Sequence, residues 1–122
     1  MGILRSLLVF LWMAVTVIPF ALAIILMAPF VGPEARWWYL ARPWLSGAVE
    51  AVRLVGGIQY SVEGEQGLPT AEDNQRIILC PKHQSTWETF FFASRMPHPL
   101  AYVFKRELLY IPFFGWSMAC LN

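Results

Sequence analysis

The chain has 122 residues, with 57% hydrophobic and 14% charged residues and a formal net charge of +1. Typical globular chains carry roughly 45–50% apolar and about 25% charged residues. This composition excludes a disordered chain and a disulfide-rich secreted miniprotein, and the near-neutral charge gives no reason to expect a nucleic-acid partner. The apolar excess lies mostly at one end, because residues 1–33 carry a single charged side chain, Arg5.

Residues 1–33 are predicted to form a membrane anchor. The run from Ser6 to Pro33 has no charge, and crossing the hydrocarbon core of a bilayer takes about 20 apolar residues. A cleaved signal peptide is the less favoured alternative, because its apolar core is only roughly 7–15 residues long. Pro19 lies near the middle of the run, where proline kinks or breaks a helix. The sequence therefore leaves open a kinked transmembrane helix and a re-entrant hairpin broken near Pro19.

Residues 34–56 are predicted to form an interfacial helix, bent at Pro43 and ended by Gly56 and Gly57. Aromatic rings interleaved with arginines beside an apolar run are typical of the headgroup layer of a membrane. The alternative interpretation is an aromatic-rich packing helix of a soluble core. The residues concerned are Arg36, Trp37, Trp38, Tyr39, Arg42 and Trp44.

Residues 57–122 are predicted to form an incomplete α/β domain. The alternation over Ile58–Glu63 predicts a strand, and the apolar runs Arg76–Cys80 and Leu100–Phe104 predict buried strands. Between them, Ser85–Arg95 has the apolar face of a helix, with Ser85 as its N-cap. The order of elements predicts an α/β fold, in which N-terminal membrane-associated helices precede the first part of an α/β domain.

His83 and Glu88 are the candidate catalytic pair. They lie between a predicted buried strand and a helix, where open α/β sheets place ligand crevices. With His83 in the turn and Glu88 on the first helical turn, the carboxylate can hold one imidazole nitrogen while the other takes a proton from a hydroxyl. The alternative interpretation is a capping box, in which Glu88 accepts the backbone N–H of Ser85.

Lys105 and Arg106 follow the last predicted strand and open a helical turn. Exposed basic side chains at such a position can bind a phosphate, or they can form an ordinary solvated pair. No spacing of cysteine, histidine and acidic residues indicates a metal, and no motif indicates a bound cofactor.

Two ordered segments resemble blocks of the 1-acylglycerol-3-phosphate acyltransferase family. Lys82–Glu88 resembles N-H-x-S-x-x-D, and Lys105–Gly115 resembles K-x-E-L-x-x-x-P-x-x-G. The resemblance implies that His83 is the general base, that Glu88 replaces the usual aspartate that orients it, and that Lys105, with Arg106, binds the phosphate of the acceptor. The supporting motif positions are Lys82, Ser85, Glu107, Leu108, Pro112 and Gly115.

The resemblance also implies a reaction and a location. An acyl chain would move from an acyl-CoA or acyl-carrier-protein thioester to the free hydroxyl of 1-acylglycerol-3-phosphate, at the cytoplasmic face of a bacterial inner membrane. The alternatives are another lysolipid acceptor and a non-catalytic membrane-anchored fragment. The family's third block, E-G-T-R, has no counterpart here, so we expect these residues to be the N-terminal portion of a longer protein and to be inactive alone.

Overall fold

The computed structural model describes residues 2–67, 70, 72, 76–82 and 85–121. The secondary structure of these residues is helical. The α-helices are α1 (Gly2–Met27), α2 (Pro33–Arg36), α3 (Arg42–Leu54), α4 (Thr86–Arg95) and α5 (Phe114–Leu121). Shorter turns are a π-helical turn at Trp37–Ala41 and 3-10 turns at Glu65–Gly67 and Arg106–Tyr110.

The apolar N-terminal run forms one long helix. α1 continues through Pro19 without a break, which differs from the hairpin broken near Pro19 that the sequence left open. By length and composition α1 can cross a membrane, and no other helix among the described residues can. The chain turns after Met27, whose carbonyl accepts the N–H groups of Phe30 and Val31 at 3.0 and 2.9 Å.

Helical backbone then runs from Pro33 to Leu54 and passes a second proline. In an α-helix the ring of Pro43 would meet the carbonyl four residues earlier. The π-helical turn widens the backbone just before this point, and the Arg42 N–H donates to the carbonyl of Trp37. The helix ends at Leu54, and Gly57 then takes a left-handed conformation with φ of 72°.

α1 and the stretch from Pro33 to Leu54 pack antiparallel along their length. Contacts lie at three successive levels: Arg5 with Gly57, just beyond the end of this stretch, then Thr16 with Trp44, and Ile24 with Trp37. At the middle level Trp44 Nε1 donates to Thr16 Oγ1 at 2.9 Å. At the first level Arg5 Nη1 lies 2.9 Å from the place that a Cβ on Gly57 would take.

α4 packs against α3, and α5 packs along α1. The buried cluster at the centre joins Ile24 of α1, Trp37 and Ala41 of the π-helical turn, and Ala93 of α4. Beside it the Trp44 ring contacts Phe90 of α4 and Phe114 of α5, with ring centroids 5.9 and 6.5 Å apart. Trp44 therefore ties α4 and α5 to the antiparallel helices.

Several residues predicted for the headgroup layer are buried instead. Arg36 and Trp37 are 6% exposed and Trp44 is 7% exposed. Arg36 Nε, Arg36 Nη1 and Trp37 Nε1 are enclosed without a hydrogen-bond partner in the described part of the chain. Tyr39, at 79% exposed, keeps the exposure that a headgroup contact needs.

The prediction of an α/β fold is wrong for the part of the chain that the structure describes. No strand and no sheet form there. A strand needs a neighbouring backbone to pair with, and none of the three predicted strands pairs with another. Most of their apolar side chains are exposed, with Ile78 at 89% and Val103 at 106%. Leu100 and Tyr102 are partly buried, because they pack against the central helical cluster. The apolar faces that do become buried belong to helices.

Candidate functional site

The first motif lies at the start of α4. Lys82 is exposed, and Ser85 is the N-cap residue of the helix, as predicted. His83 and Gln84 lie outside the described residues, so the proposed contact between His83 and Glu88 stays a prediction. The described part of the motif establishes that Glu88 occupies the third helical position.

Glu88 takes part in a capping box. Its Oε2 accepts the backbone N–H of Ser85 at 2.9 Å, an arrangement that satisfies one of the donors at the N-terminus of a helix. The capping-box interpretation of this motif is therefore confirmed. A carboxylate has two oxygens and several acceptor positions, so the capping role and an orienting role toward His83 are compatible.

Aromatic packing holds the motif helix in place from both sides. On one side Trp87 stacks on Phe91, with centroids 4.9 Å apart and planes at 19°, and Tyr60 packs 5.2 Å from each ring. On the other side Phe90 meets the edge of Trp44. Because Trp87, Phe90 and Phe91 lie within the first two turns of α4, their contacts fix the helix end that carries Glu88.

The far end of α4 is held by Arg42. Its Nε donates to the carbonyl of Ser94 at 3.1 Å, and its guanidinium lies 4.5 Å from the centre of the Trp38 ring. A cation at the C-terminal end of a helix is favourable, since the last carbonyls carry partial negative charge. α3 thus fixes both the position and the direction of the motif helix.

Tyr102 connects the two motifs. Its hydroxyl donates to the carbonyl of Thr89, the residue after Glu88, at 2.9 Å. Burial raises the pKa of Tyr102 from 10.0 to about 12, which keeps the phenol protonated and able to donate. Lys105 follows three residues later, within about 10 Å of chain. The hydrogen bond therefore places the start of the second motif close to the first turn of α4.

The second motif presents its basic residues to solvent. Lys105 is the N-cap residue of the 3-10 turn Arg106–Tyr110, and both Lys105 and Arg106 are exposed. Among the described residues neither forms a salt bridge. Both basic groups are accessible to an anionic ligand, as the phosphate-binding prediction requires.

Pro112 and Gly115 shape the end of this motif. Phe113, between them, has φ of 63°, a left-handed conformation that is strained for a bulky side chain. The Gly115 N–H donates to the carbonyl of Ile111 at 2.9 Å. A Cβ on Gly115 would collide with the carbonyl oxygen of Leu108 and lie 2.7 Å from that of Leu109. Glycine is therefore required for α5 to start against the 3-10 turn.

Two residues that position the motif helix are absent from the predicted site residues. The sequence pattern predicts only that Tyr102 and Tyr60 belong to strands. Tyrosine has an apolar ring and a polar hydroxyl, which usually finds a hydrogen-bond partner when the ring is partly buried. This residue type is the one feature of the sequence that could have indicated their role. The described residues contain no group of three or more histidine, cysteine and acidic side chains that could hold a metal ion.

Comparison with curated proteins finds two acyltransferases. A protein of Pseudomonas aeruginosa named 1-acyl-sn-glycerol-3-phosphate acyltransferase is 42% identical over 96 residues, which cover 79% of this chain. A protein of Saccharomyces cerevisiae with the same name is 32% identical over 68 residues, or 56% of this chain. Over the matched part, the chain belongs to the 1-acylglycerol-3-phosphate acyltransferase family. The resemblance inferred from the two motifs is thereby confirmed.

The chain spans only part of the length of these family members. The matched segment covers 35% of the bacterial relative and 21% of the yeast relative. No family model matches the chain. No solved structure matches it either.

Proposed function

We propose that this protein is a membrane-associated 1-acylglycerol-3-phosphate O-acyltransferase, which converts lysophosphatidic acid to phosphatidic acid. The observation that carries the proposal is the 42% identity over 96 residues with the bacterial acyltransferase. The structure supports the proposal, because the hydrogen bond from Tyr102 to the Thr89 carbonyl brings the two motifs close together. The donor would be an acyl thioester of coenzyme A or of acyl carrier protein.

The reaction needs a base, a held acceptor and an accessible thioester. His83 would take the proton of the acceptor hydroxyl while the hydroxyl oxygen attacks the carbonyl carbon of the thioester. The tetrahedral intermediate then releases the thiolate, which recovers the proton from the imidazolium. Glu88 would keep the imidazole in the productive tautomer and stabilise its positive charge.

Lys105 and Arg106 would bind the phosphate of lysophosphatidic acid. Both are exposed, and charge-assisted hydrogen bonds to phosphate oxygens are among the stronger contacts that side chains make. Fixing the phosphate orients the free hydroxyl toward His83, and orientation alone can lower the barrier substantially.

The proposed location follows from α1. It is the described helix with the length and composition of a membrane span, and the lipid acceptor and product both reside in a membrane. We place the enzyme at a bacterial inner membrane, with the site on the cytoplasmic face where acyl thioesters are made.

A matched pair of histidine variants tests the catalytic proposal. His83→Ala should abolish acyl transfer to lysophosphatidic acid, measured by phosphatidic acid formation and thiol release, while membrane retention stays unchanged. His98→Ala is the control, because His98 lies outside both motifs and its Nε2 is 3.1 Å from the carbonyl oxygen of Thr70. Undiminished turnover by His83→Ala would refute the assignment of the base. Competition with other lysolipids, and with the two donor types, then defines the substrates.

A further inference from the structure

The second motif carries an exposed apolar and aromatic patch that the proposed chemistry does not use. Tyr110 is 73% exposed, Trp116 50% and Ile111 43%. The three residues lie close together, because the Gly115 N–H donates to the Ile111 carbonyl and the Phe113 ring packs 5.6 Å from that of Trp116. We refer to Tyr110, Ile111 and Trp116 as the motif patch. Exposed clusters of this kind mark interaction surfaces.

The motif patch extends onto α5, an element that packs against α1. α5, which contains Trp116, packs along α1, and Phe114 at its start contacts Trp44, the partner of Thr16. α1 has a stripe of exposed apolar side chains at helical spacing on its outer side, with exposed fractions from 40% to 68%. The members of this stripe are Leu11, Val15, Ile18, Leu22 and Leu26. Two neighbouring elements therefore leave apolar side chains uncovered.

The composition of the motif patch and of the basic residues that precede it fits one partner, a lipid bilayer surface. Tyrosine and tryptophan favour the boundary between hydrocarbon and headgroups. The exposed Lys105 and Arg106 begin the same motif, and basic side chains next to an apolar surface are attracted to anionic lipid headgroups.

We propose that the segment Lys105–Trp116 contacts the bilayer directly and forms, with α1, a two-part membrane surface. The membrane contact itself does not depend on the proposed function, but its consequence for the substrate does. The consequence is that Lys105 lies at headgroup depth, so the phosphate of a lysolipid acceptor reaches it while the acyl chain of the acceptor stays in the membrane.

A depth measurement tests the contact without reference to activity. In a background of Cys80→Ser and Cys120→Ala, an environment-sensitive fluorophore is attached to Tyr110→Cys in the whole protein. The control is Ile78→Cys, because Ile78 is 89% exposed and belongs to neither surface. Vesicles of phosphatidylcholine, with and without phosphatidylglycerol, should blue-shift the label at 110 and allow its quenching by spin-labelled lipid. The label at 78 should remain accessible to iodide.

Two outcomes overturn the proposal. One is a label at 110 that iodide still quenches when the protein is bound to vesicles. The other is a label that is shielded before vesicles are added, since another segment of polypeptide then covers the patch. Either result leaves the catalytic proposal intact, because His83→Ala tests that separately.

A kinetic measurement links the contact to substrate use. Tyr110→Ser with Trp116→Ser should raise the apparent KM for long-chain lysophosphatidic acid in vesicles by about tenfold. The kcat should stay unchanged with a short-chain, water-soluble acceptor. Ile78→Ser is the matched control and should change neither value. A loss of kcat with the soluble acceptor would assign the two aromatic residues to the site itself and contradict a membrane role.

Discussion

The indole N–H of Trp44 donates to the hydroxyl of Thr16 at 2.9 Å, across the interface between α1 and α3. The same hydroxyl donates to the carbonyl of Trp12 at 2.7 Å, so it accepts from one helix and donates within the other. Trp44 also contacts α4 and α5 through its ring. This polar contact thus holds the apolar helix to the elements that carry the motifs.

Thr16→Val should lower the free energy of unfolding by about 1–3 kcal/mol, because it leaves the buried Trp44 donor without an acceptor while preserving side-chain shape. Unfolding in detergent, followed by circular dichroism, measures this. Thr16→Ser retains the hydroxyl and should be close to wild type. Equal stability of the valine and serine variants would show that the hydrogen bond contributes nothing.

Glu88 variants separate capping from catalysis. Glu88→Gln keeps a side-chain oxygen for the Ser85 N–H, so the stability of α4 should change little. The loss of charge should still lower kcat by about 10²–10⁴-fold, since an imidazolium at His83 would lose its counter-charge. Glu88→Ala should lose both activity and about 1 kcal/mol of stability. If Glu88→Gln turns over like wild type, Glu88 is a helix cap and no more.

Gly115→Ala should destabilise the protein by about 1–3 kcal/mol, because the added Cβ meets backbone oxygens that cannot move aside. Gly32→Ala is the control, since it has φ of −62° and nothing lies within 4 Å of its Cβ position. Thermal unfolding of the two variants gives the comparison. Similar melting temperatures would argue against the tight packing of Gly115 on the 3-10 turn.

Arg36→Met should raise stability or leave it unchanged. The buried guanidinium has two nitrogens without a hydrogen-bond partner in the described part of the chain, and an unpaired buried charge is costly compared with an apolar side chain of similar length. Arg36→Lys keeps the charge and serves as the control. A loss of several kcal/mol in the methionine variant alone would reveal a partner for Arg36.

Tyr102→Phe should change how stability depends on pH. The folded-state pKa of Tyr102 is raised from 10.0 to about 12, so its contribution is complete below pH 10 and is lost as the pH rises toward 12. The variant should lose about 1 kcal/mol at neutral pH from the missing hydrogen bond. Above pH 10 the difference from wild type should shrink. A constant difference across this range would contradict the assigned shift.

The sequence predicted the features that depend on near neighbours in the chain. The Ser85–Glu88 capping box spans four residues, and the long apolar helix follows from composition alone. The strand predictions were wrong because alternation and β-branched residues describe a local preference, whereas a sheet requires partners from elsewhere in the chain. Contacts over long separations, such as Thr16 with Trp44 and Thr89 with Tyr102, leave no periodic signal and emerged only from the structure.

The antiparallel packing of α1 against the following helices also bears on orientation in a membrane. Because Arg5 lies beside Gly57, the chain returns to the level of its own first turn before either motif begins. The two ends of this helical pair therefore share one depth relative to any bilayer that contacts α1, and the corner near Phe30 lies farthest from both. Whichever way the pair is inclined, Arg5 and the start of the segment that carries the two motifs face the same compartment.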